Sequence, residues 1–227
     1  MAVKLLFPTP IFLRHFLDPQ LSPEDGFGIE YVKTLKKEID WMRKQDPKGR
    51  RISNAYTGWQ SSDGVEQIPV WGKLMRVIKD KYNQEVLPWL GVNQNASVSI
   101  GNAWANINDN GAWNKPHGHN GCWLSGAFYI DADGTEGDFI AINKGSNILS
   151  DFPHQPKERD SHNVSPTTGT LLLFPSGLLH MVEPNRTKKD RYSIAWNTET
   201  HTMTRETFAE RNPDWNKFDL DDPKVRG

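Results

Sequence analysis

From Ile29 to Gln45, apolar side chains recur at Ile29, Val32, Leu35, Ile39 and Met42, with charged residues between them. That spacing gathers one face of a helix and predicts an amphipathic α-helix whose charged run, Lys33 to Lys44, faces solvent. Trp71, Leu74, Val77, Ile78 and Tyr82 repeat the pattern and predict a second helix over Val70–Leu87. Between the two, Arg51 to Gly64 is rich in Ser, Asn and Gly and reads as a loop. After Pro88 the period shortens. β-branched and aromatic runs alternate with turns of Gly, Asn, Asp and Pro, predicting strands near Ala96–Asn106, Trp123–Ile130, Asp138–Ile142, Thr170–Phe174 and Arg191–Asn197. Residues 3 to 13 read as a short edge strand interrupted by Pro8 and Pro10. The class is mainly β with N-terminal helices (α+β), a sandwich or jelly roll whose inner face can hold a ligand or metal.

The length of 227 residues suits one decorated domain. We expect it over residues 1–203, with a β core at about 90–200, helical support from 29–87 and a charged C-terminal extension at 204–227. The 27 Lys+Arg against 28 Asp+Glu leave no basic field for a phosphate backbone, so a nucleic-acid partner is disfavoured. Nine Trp, ten Phe and five Tyr supply large area for a core. The single cysteine, Cys122, offers no disulfide framework and points to a reducing, cytoplasmic setting. The apolar start, Met1 to Leu13, is interrupted by proline well short of the roughly 20 residues that span a bilayer, so no membrane association is expected. A free sheet edge could support a homodimer.

Spacing singles out three of the seven histidines. His117 and His119 stand two apart in Pro116-His117-Gly118-His119, and on extended backbone such residues project to the same side. His180 ends the apolar stretch that begins at Leu171 and can supply a third imidazole from a neighbouring strand. Further on, alternation along Arg191-Tyr192-Ser193-Ile194-Ala195-Trp196-Asn197 puts Arg191, Ser193, Ala195 and Asn197 on one face. An inward arginine beside a hydroxyl suits a carboxylate, because the guanidinium fork can meet both oxygens. An unpaired buried cation would be costly, so an anionic partner is implied.

The order His-X-His, distal His and Arg-X-Ser resembles the Fe(II)- and 2-oxoglutarate-dependent dioxygenases of the prolyl hydroxylase type. It is more similar still to a group of bacterial and phage oxygenases of that superfamily. Phe7-Pro-Thr-Pro10, Gly58-Trp59-Gln60-Ser61, Leu124-Ser125-Gly126-Ala-Phe-Tyr129 and Leu173-Phe174-Pro175-Ser176 carry the likeness further, over roughly residues 4 to 200. The resemblance implies a cupin-like double-stranded β-helix. It implies Fe(II) held by His117, His119 and His180, 2-oxoglutarate and O2 as cosubstrates, and hydroxylation of a small-molecule or peptide substrate that the sequence does not identify. It further implies that Arg191 and Ser193, with Tyr129, hold the distal carboxylate of 2-oxoglutarate, and that Asn106 lies toward its C1 carboxylate. Arg191 counts as catalytic on this reading.

One departure bears on the metal. The usual triad is two histidines and one carboxylate, whereas the middle position here is His119. Two alternatives stand beside a three-histidine site. His119 could be the first ligand, leaving Asn120 or Gly121 at the carboxylate position, or a distant acid such as Asp109, Asp138 or Glu183 could approach. The missing carboxylate also keeps open a 2-oxoglutarate-independent, three-histidine cupin-type dioxygenase, which would need no inward arginine. A non-catalytic binding module on the same fold is the third reading. His15, His154, His162 and His201 read as surface or structural, Trp104 and Trp123 as core, and Cys122 as structural. Trp59 and Gln60 stand evenly between pocket mouth and core edge.

Overall fold

Alternation along the strands decides which side of each sheet is apolar, and the computed structural model, which describes residues 9–17, 28–92, 96–119, 121–143 and 161–202, follows it closely. The larger sheet has the order β1 (Phe12–His15), β9 (Thr170–Pro175), β6 (Leu124–Asp131), β11 (Arg191–Thr202), β4 (Ala96–Asn108), β3 (Trp59–Gln60). The smaller has the order β2 (Asn54–Ala55), β5 (Trp113–His117), β10 (His180–Val182), β7 (Phe139–Ile142), β8 (Ser161–Val164). All pairings are antiparallel. This is the two-sheet β-helix expected from the sequence.

One face of the larger sheet is covered by α1 (Ile29–Gln45) and α2 (Gly72–Lys81). Val32, Leu35 and Ile39 of α1 and Leu74 and Ile78 of α2 pack with Ala103, Ala105, Ile107, Phe128, Tyr192, Ile194 and Trp196 in the main core. Gly126 permits this close approach, because a Cβ there would stand 2.4 Å from the Trp196 ring and 2.7 Å from the Leu172 carbonyl oxygen. On the opposite face, Tyr129, Leu172 and Phe174 meet Phe139 and Ala141 of the smaller sheet in a second, smaller core. The remaining inward positions between the sheets are polar, and they form the site.

The first helix and five strands lie where periodicity places them. The second helical stretch is segmented: a 3-10 turn at Pro69–Trp71, α2, a π-helical turn at Tyr82–Val86 and α3 (Leu87–Trp89). The π turn holds the buried Tyr82, whose Oη donates to the Ser125 carbonyl at 2.8 Å and accepts from Trp196 Nε1 at 3.1 Å. Next to it, the Asn83 carboxamide pairs with both backbone groups of Val98. Hydrogen bonds to the sheet thus accompany the departure from a regular helix.

Other expectations need correction. The Arg51–Gly64 segment contains β2 and β3, strands too short to show alternation. Of the N-terminal strand, residues 3–8 lie outside the described residues, and β1 runs from Phe12 to His15 at the sheet edge, past Pro10 and two residues beyond the expected end. Trp123 is 51% exposed, and Trp104 is only half-buried, lining the site instead of the core. Short β5 and β10, which position the histidines, lacked a periodic signal. The extension at 204–227 and His154 lie outside the described residues, as do the side chain of His201 and residues 144–160 before β8.

Candidate active site

β5 ends on His117 and β10 begins on His180, and the antiparallel register sets these two residues directly opposite each other. The backbone N–H of His119 donates to the Ser176 carbonyl at 2.8 Å, holding the residues after β5 against the segment that leads into β10. One ligand-type atom from each of His117, His119 and His180 then lies within 4.8 Å of the other two. Ring centroids are 4.3 Å apart for His117 and His180, and 5.2 Å for each pair involving His119.

The tautomers of two rings follow from their partners. His117 Nδ1 lies 2.6 Å from the Lys115 carbonyl and His180 Nδ1 lies 2.9 Å from the Leu178 carbonyl. A carbonyl only accepts, so Nδ1 carries the proton in each and Nε2 keeps its lone pair for a ligand. Burial pushes the pKa of His180 down to about 3 and that of His119 to about 4, with charge on His117 adding to both effects. Burial lowers His117 as well, against its carbonyl contact. Neutral, convergent imidazoles are the form that binds a transition metal. Phe139 and Phe174 flank His180, and Trp104 stacks on His119 at 5.8 Å.

Among the described residues no carboxylate joins this cluster. Asp109 is engaged with Arg43 and Thr57, Asp138 with Ser165 and Asn163, and Glu183 with the backbone N–H of Asp138. Gly121 has no side chain to offer, and Asn120 lies outside the described residues. The structure therefore brings together the three histidines singled out in the sequence.

Across the cavity, the larger sheet presents a polar row. Gln60 of β3 is in register with Asn106 of β4, Asn106 with Ser193 of β11, and Ser193 with Tyr129 of β6. Asn106, Ser193 and Tyr129 share a cavity with all three histidines and Arg191. Asn106 is 7% exposed, and its Oδ1 is buried with no hydrogen-bond partner. Such an orphan costs about 1–3 kcal/mol unless a ligand or water fills it. Arg191 is 3% exposed, and its Nη1 donates to the carbonyls of Glu136 at 3.0 Å and Gly137 at 2.8 Å. Burial lowers the arginine pKa, opposed by Tyr129, Glu136 and Asp138. Burial raises that of Tyr129, opposed by Arg191. Three neutral imidazoles facing one guanidinium give a positively charged cavity.

The Arg191 cradle is itself supported, by residues the sequence reading missed. Glu136, 1% exposed, accepts the Asp133 N–H on both carboxylate oxygens and lies 3.3 Å from Lys189 Nζ. Gly137 has φ +96° and approaches the Glu183 carbonyl where a Cβ would stand at 2.8 Å. No periodicity announces a carbonyl as a ligand-positioning group, though the spacing of acids and glycines in Asp133-Gly134-Thr135-Glu136-Gly137 marks a shaped turn.

His117 and His119 also line a second, outer cavity of about 370 Å³, with Trp104 and Ser53 shared between the two. The metal candidates thus stand at the junction of an inner chamber and an outer one.

Comparison with known proteins gives the following. Residues 102–197 match the family described as "Putative 2OG-Fe(II) oxygenase". No curated protein matches. Among solved structures, a Pseudomonas putida prolyl-4-hydroxylase is similar with a TM-score of 0.53 and 15% identity, over 83% of this chain and 92% of that one. HygX from Streptomyces hygroscopicus, solved with nickel and 2-oxoglutarate, gives a TM-score of 0.56 and 14% identity, over 84% and 82%. The 2-oxoglutarate complex of a viral collagen prolyl hydroxylase from Paramecium Bursaria Chlorella virus-1 gives 0.53 and 13%, over 83% and 94%. At these identities the likeness is one of fold.

Proposed function

We propose that this chain, a 2OG-Fe(II) oxygenase through its β-helix core, is an Fe(II)- and 2-oxoglutarate-dependent dioxygenase with His117, His119 and His180 as metal ligands. The observation that carries the reading is the buried Arg191, paired among the described residues only through Nη1, in the same chamber as the three convergent histidines. When bound, iron, 2-oxoglutarate and O2 would supply an oxidant for substrate C–H hydroxylation, with release of succinate and CO2.

The chain's own residues supply the rest. Nε2 atoms of His117 and His180 are presented in a fixed tautomer by the Lys115 and Leu178 carbonyls. The remaining edge of the Arg191 fork, with the hydroxyls of Ser193 and Tyr129, binds the distal carboxylate, and charge-assisted bonds fix its orientation. Asn106 would meet the C1 carboxylate of the cosubstrate through Nδ2, since its Oδ1 only accepts. Phe139 and Phe174 exclude water around His180. The single cysteine supports a cytoplasmic setting. Among the described residues, no helix is long and apolar enough to cross a membrane.

A three-histidine dioxygenase without 2-oxoglutarate is the second reading, favoured by the absence of a carboxylate among the described ligands. Arg191 stands against it, because that chemistry needs no inward cation. Anaerobic titration with Fe(II) and 2-oxoglutarate separates the two. We expect a weak visible charge-transfer band that is absent in His180→Ala and needs more 2-oxoglutarate in Arg191→Ala. Iron binding with no band, indifferent to Arg191→Ala, would favour the second reading.

A further inference from the structure

One neighbour is a prolyl-4-hydroxylase and another was crystallised with hygromycin B, so the fold does not choose a substrate. The outer cavity offers a choice of its own. Its volume of about 370 Å³ suits a small molecule or a single projecting group. Three of its polar side chains, Asp63, Asn102 and Asn197, are joined in one chain of hydrogen bonds that begins at Ser125. Ser125 Oγ donates to Asn197 Oδ1 at 2.8 Å, Asn197 Nδ2 donates to Asn102 Oδ1 at 3.1 Å, and Asn102 Nδ2 donates to Asp63 Oδ2 at 3.0 Å. Both asparagine carboxamides are thereby used at both ends.

Gln60 stands outside that chain. It is 3% exposed, lines the outer cavity beside His117 and His119, and its carboxamide takes no part in any hydrogen bond of the described structure. Its backbone is fixed: the carbonyl accepts the Arg50 N–H at 2.8 Å, and β3 pairs with β4 on the other side. Its neighbour Trp59 is buried in the main core, so alternation commits Gln60 to the cavity. A carboxamide that opens only onto this cavity, with both ends unused, is free for a ligand that fills both. A carboxylate would satisfy Nε2 but face Oε1 with like charge, and an ammonium would do the reverse. A primary carboxamide carries one N–H and its C=O on the same edge, at the matching separation, whereas a trans peptide bond points the two in opposite directions.

We propose that Gln60 is the substrate-reading residue of this enzyme and that the buried end of the substrate is a primary carboxamide. This rests on the oxygenase reading for the role of the site, but the contact itself is testable without turnover. The full chain, loaded with Zn(II) as a diamagnetic stand-in and with 2-oxoglutarate, is titrated with acetamide, acetate and methylammonium. The Gln60 side-chain NH2 resonances and the backbone amide of Ser193 are followed by NMR. Acetamide is expected to shift the Gln60 signals saturably, at a half-saturating concentration about tenfold below those of acetate and methylammonium, the worth of one buried hydrogen bond. In Gln60→Glu, which keeps the shape but removes the donor, that preference should be lost. No saturable shift at Gln60, or equal binding of acetate, overturns the proposal. Ser193 reports separately on 2-oxoglutarate. If it does not respond while Gln60 still selects the amide, the oxygenase reading fails and the amide assignment stands.

Discussion

His180 sits directly across the β10–β5 pairing from His117, and each ring turns its Nδ1 to a carbonyl two residues earlier in its own chain. Backbone therefore selects the tautomer before any metal arrives, and the cost of holding neutral rings in a buried cluster becomes a pH dependence. Burial depresses His180 to about 3 and His119 to about 4, from 6.5 in the unfolded chain. Between pH 6.5 and about 3 the unfolded chain binds protons that the folded chain refuses. The metal-free protein is thus most stable above about pH 6.5 and loses that stability as pH falls through the window. Thermal melts of metal-free protein across that range should show the loss, with a shallower slope in His180→Phe. An identical slope in the variant would remove His180 as its source.

Arg191→Lys tests the carboxylate clamp. Lysine keeps the charge but offers a point donor in place of a fork, and it cannot reproduce both carbonyl contacts while meeting a carboxylate. Affinity for 2-oxoglutarate should fall about tenfold to hundredfold, with metal affinity unchanged. Calorimetric titration of each ligand separately checks this. A parallel loss of metal binding would mean that the substitution disturbs the β-helix itself.

Much of this arrangement was legible beforehand because strand alternation is strict. Placing Arg191 and Ser193 on the face opposite Tyr192, Ile194 and Trp196 needed only the pleat. The histidines were legible for the same reason, His-X-His on extended chain. Trp104 was misread as core because aromatic size predicts burial but not which side of a sheet is wet. Gln60 could not be resolved, since a two-residue strand has no period and its pairing with Asn106 is a long-range event. The Glu136 and Gly137 carbonyls carry no side-chain signature at all.

Those carbonyls make Lys189 a positioning residue at a distance. Its ammonium joins Asp131, Asp133 and Glu136, and Glu136 in turn fastens the Asp133 N–H in the turn that cradles Arg191. Lys189 is partly exposed, so the effect is modest. Lys189→Met should weaken 2-oxoglutarate binding about two- to fivefold and leave metal binding intact. Restoring the charge with Lys189→Arg should recover most of it. A loss that Lys189→Arg does not recover would point to packing of the lysine stem.

Gly126→Ala probes the support behind the site. The new methyl would press on the Trp196 ring and the Leu172 carbonyl, and neither is free to retreat, since Trp196 is also tied to Tyr82. Overpacking of this kind costs about 1–3 kcal/mol. Chemical denaturation should report that loss. Because Ala127 and Tyr129 ride on the same strand, 2-oxoglutarate affinity should fall in step. Unchanged stability would show that β6 can shift without cost.

His119→Asp asks what a carboxylate would do where this chain has an imidazole. His119 makes its contacts through its backbone N–H, to Ser176, and through ring stacking on Trp104. Aspartate keeps the first and loses the second. The added negative charge in the ligand set favours Fe(III) over Fe(II), because Coulomb attraction grows with the ion's charge. The Fe(III)/Fe(II) potential should therefore drop, by about 60 mV for each tenfold change in the ratio of the two affinities. Anaerobic redox titration of wild type and variant measures it directly. A potential that stays level or rises would place His119 outside the ligand set, leaving His117 and His180 to hold the metal with a group the histidine spacing does not reveal.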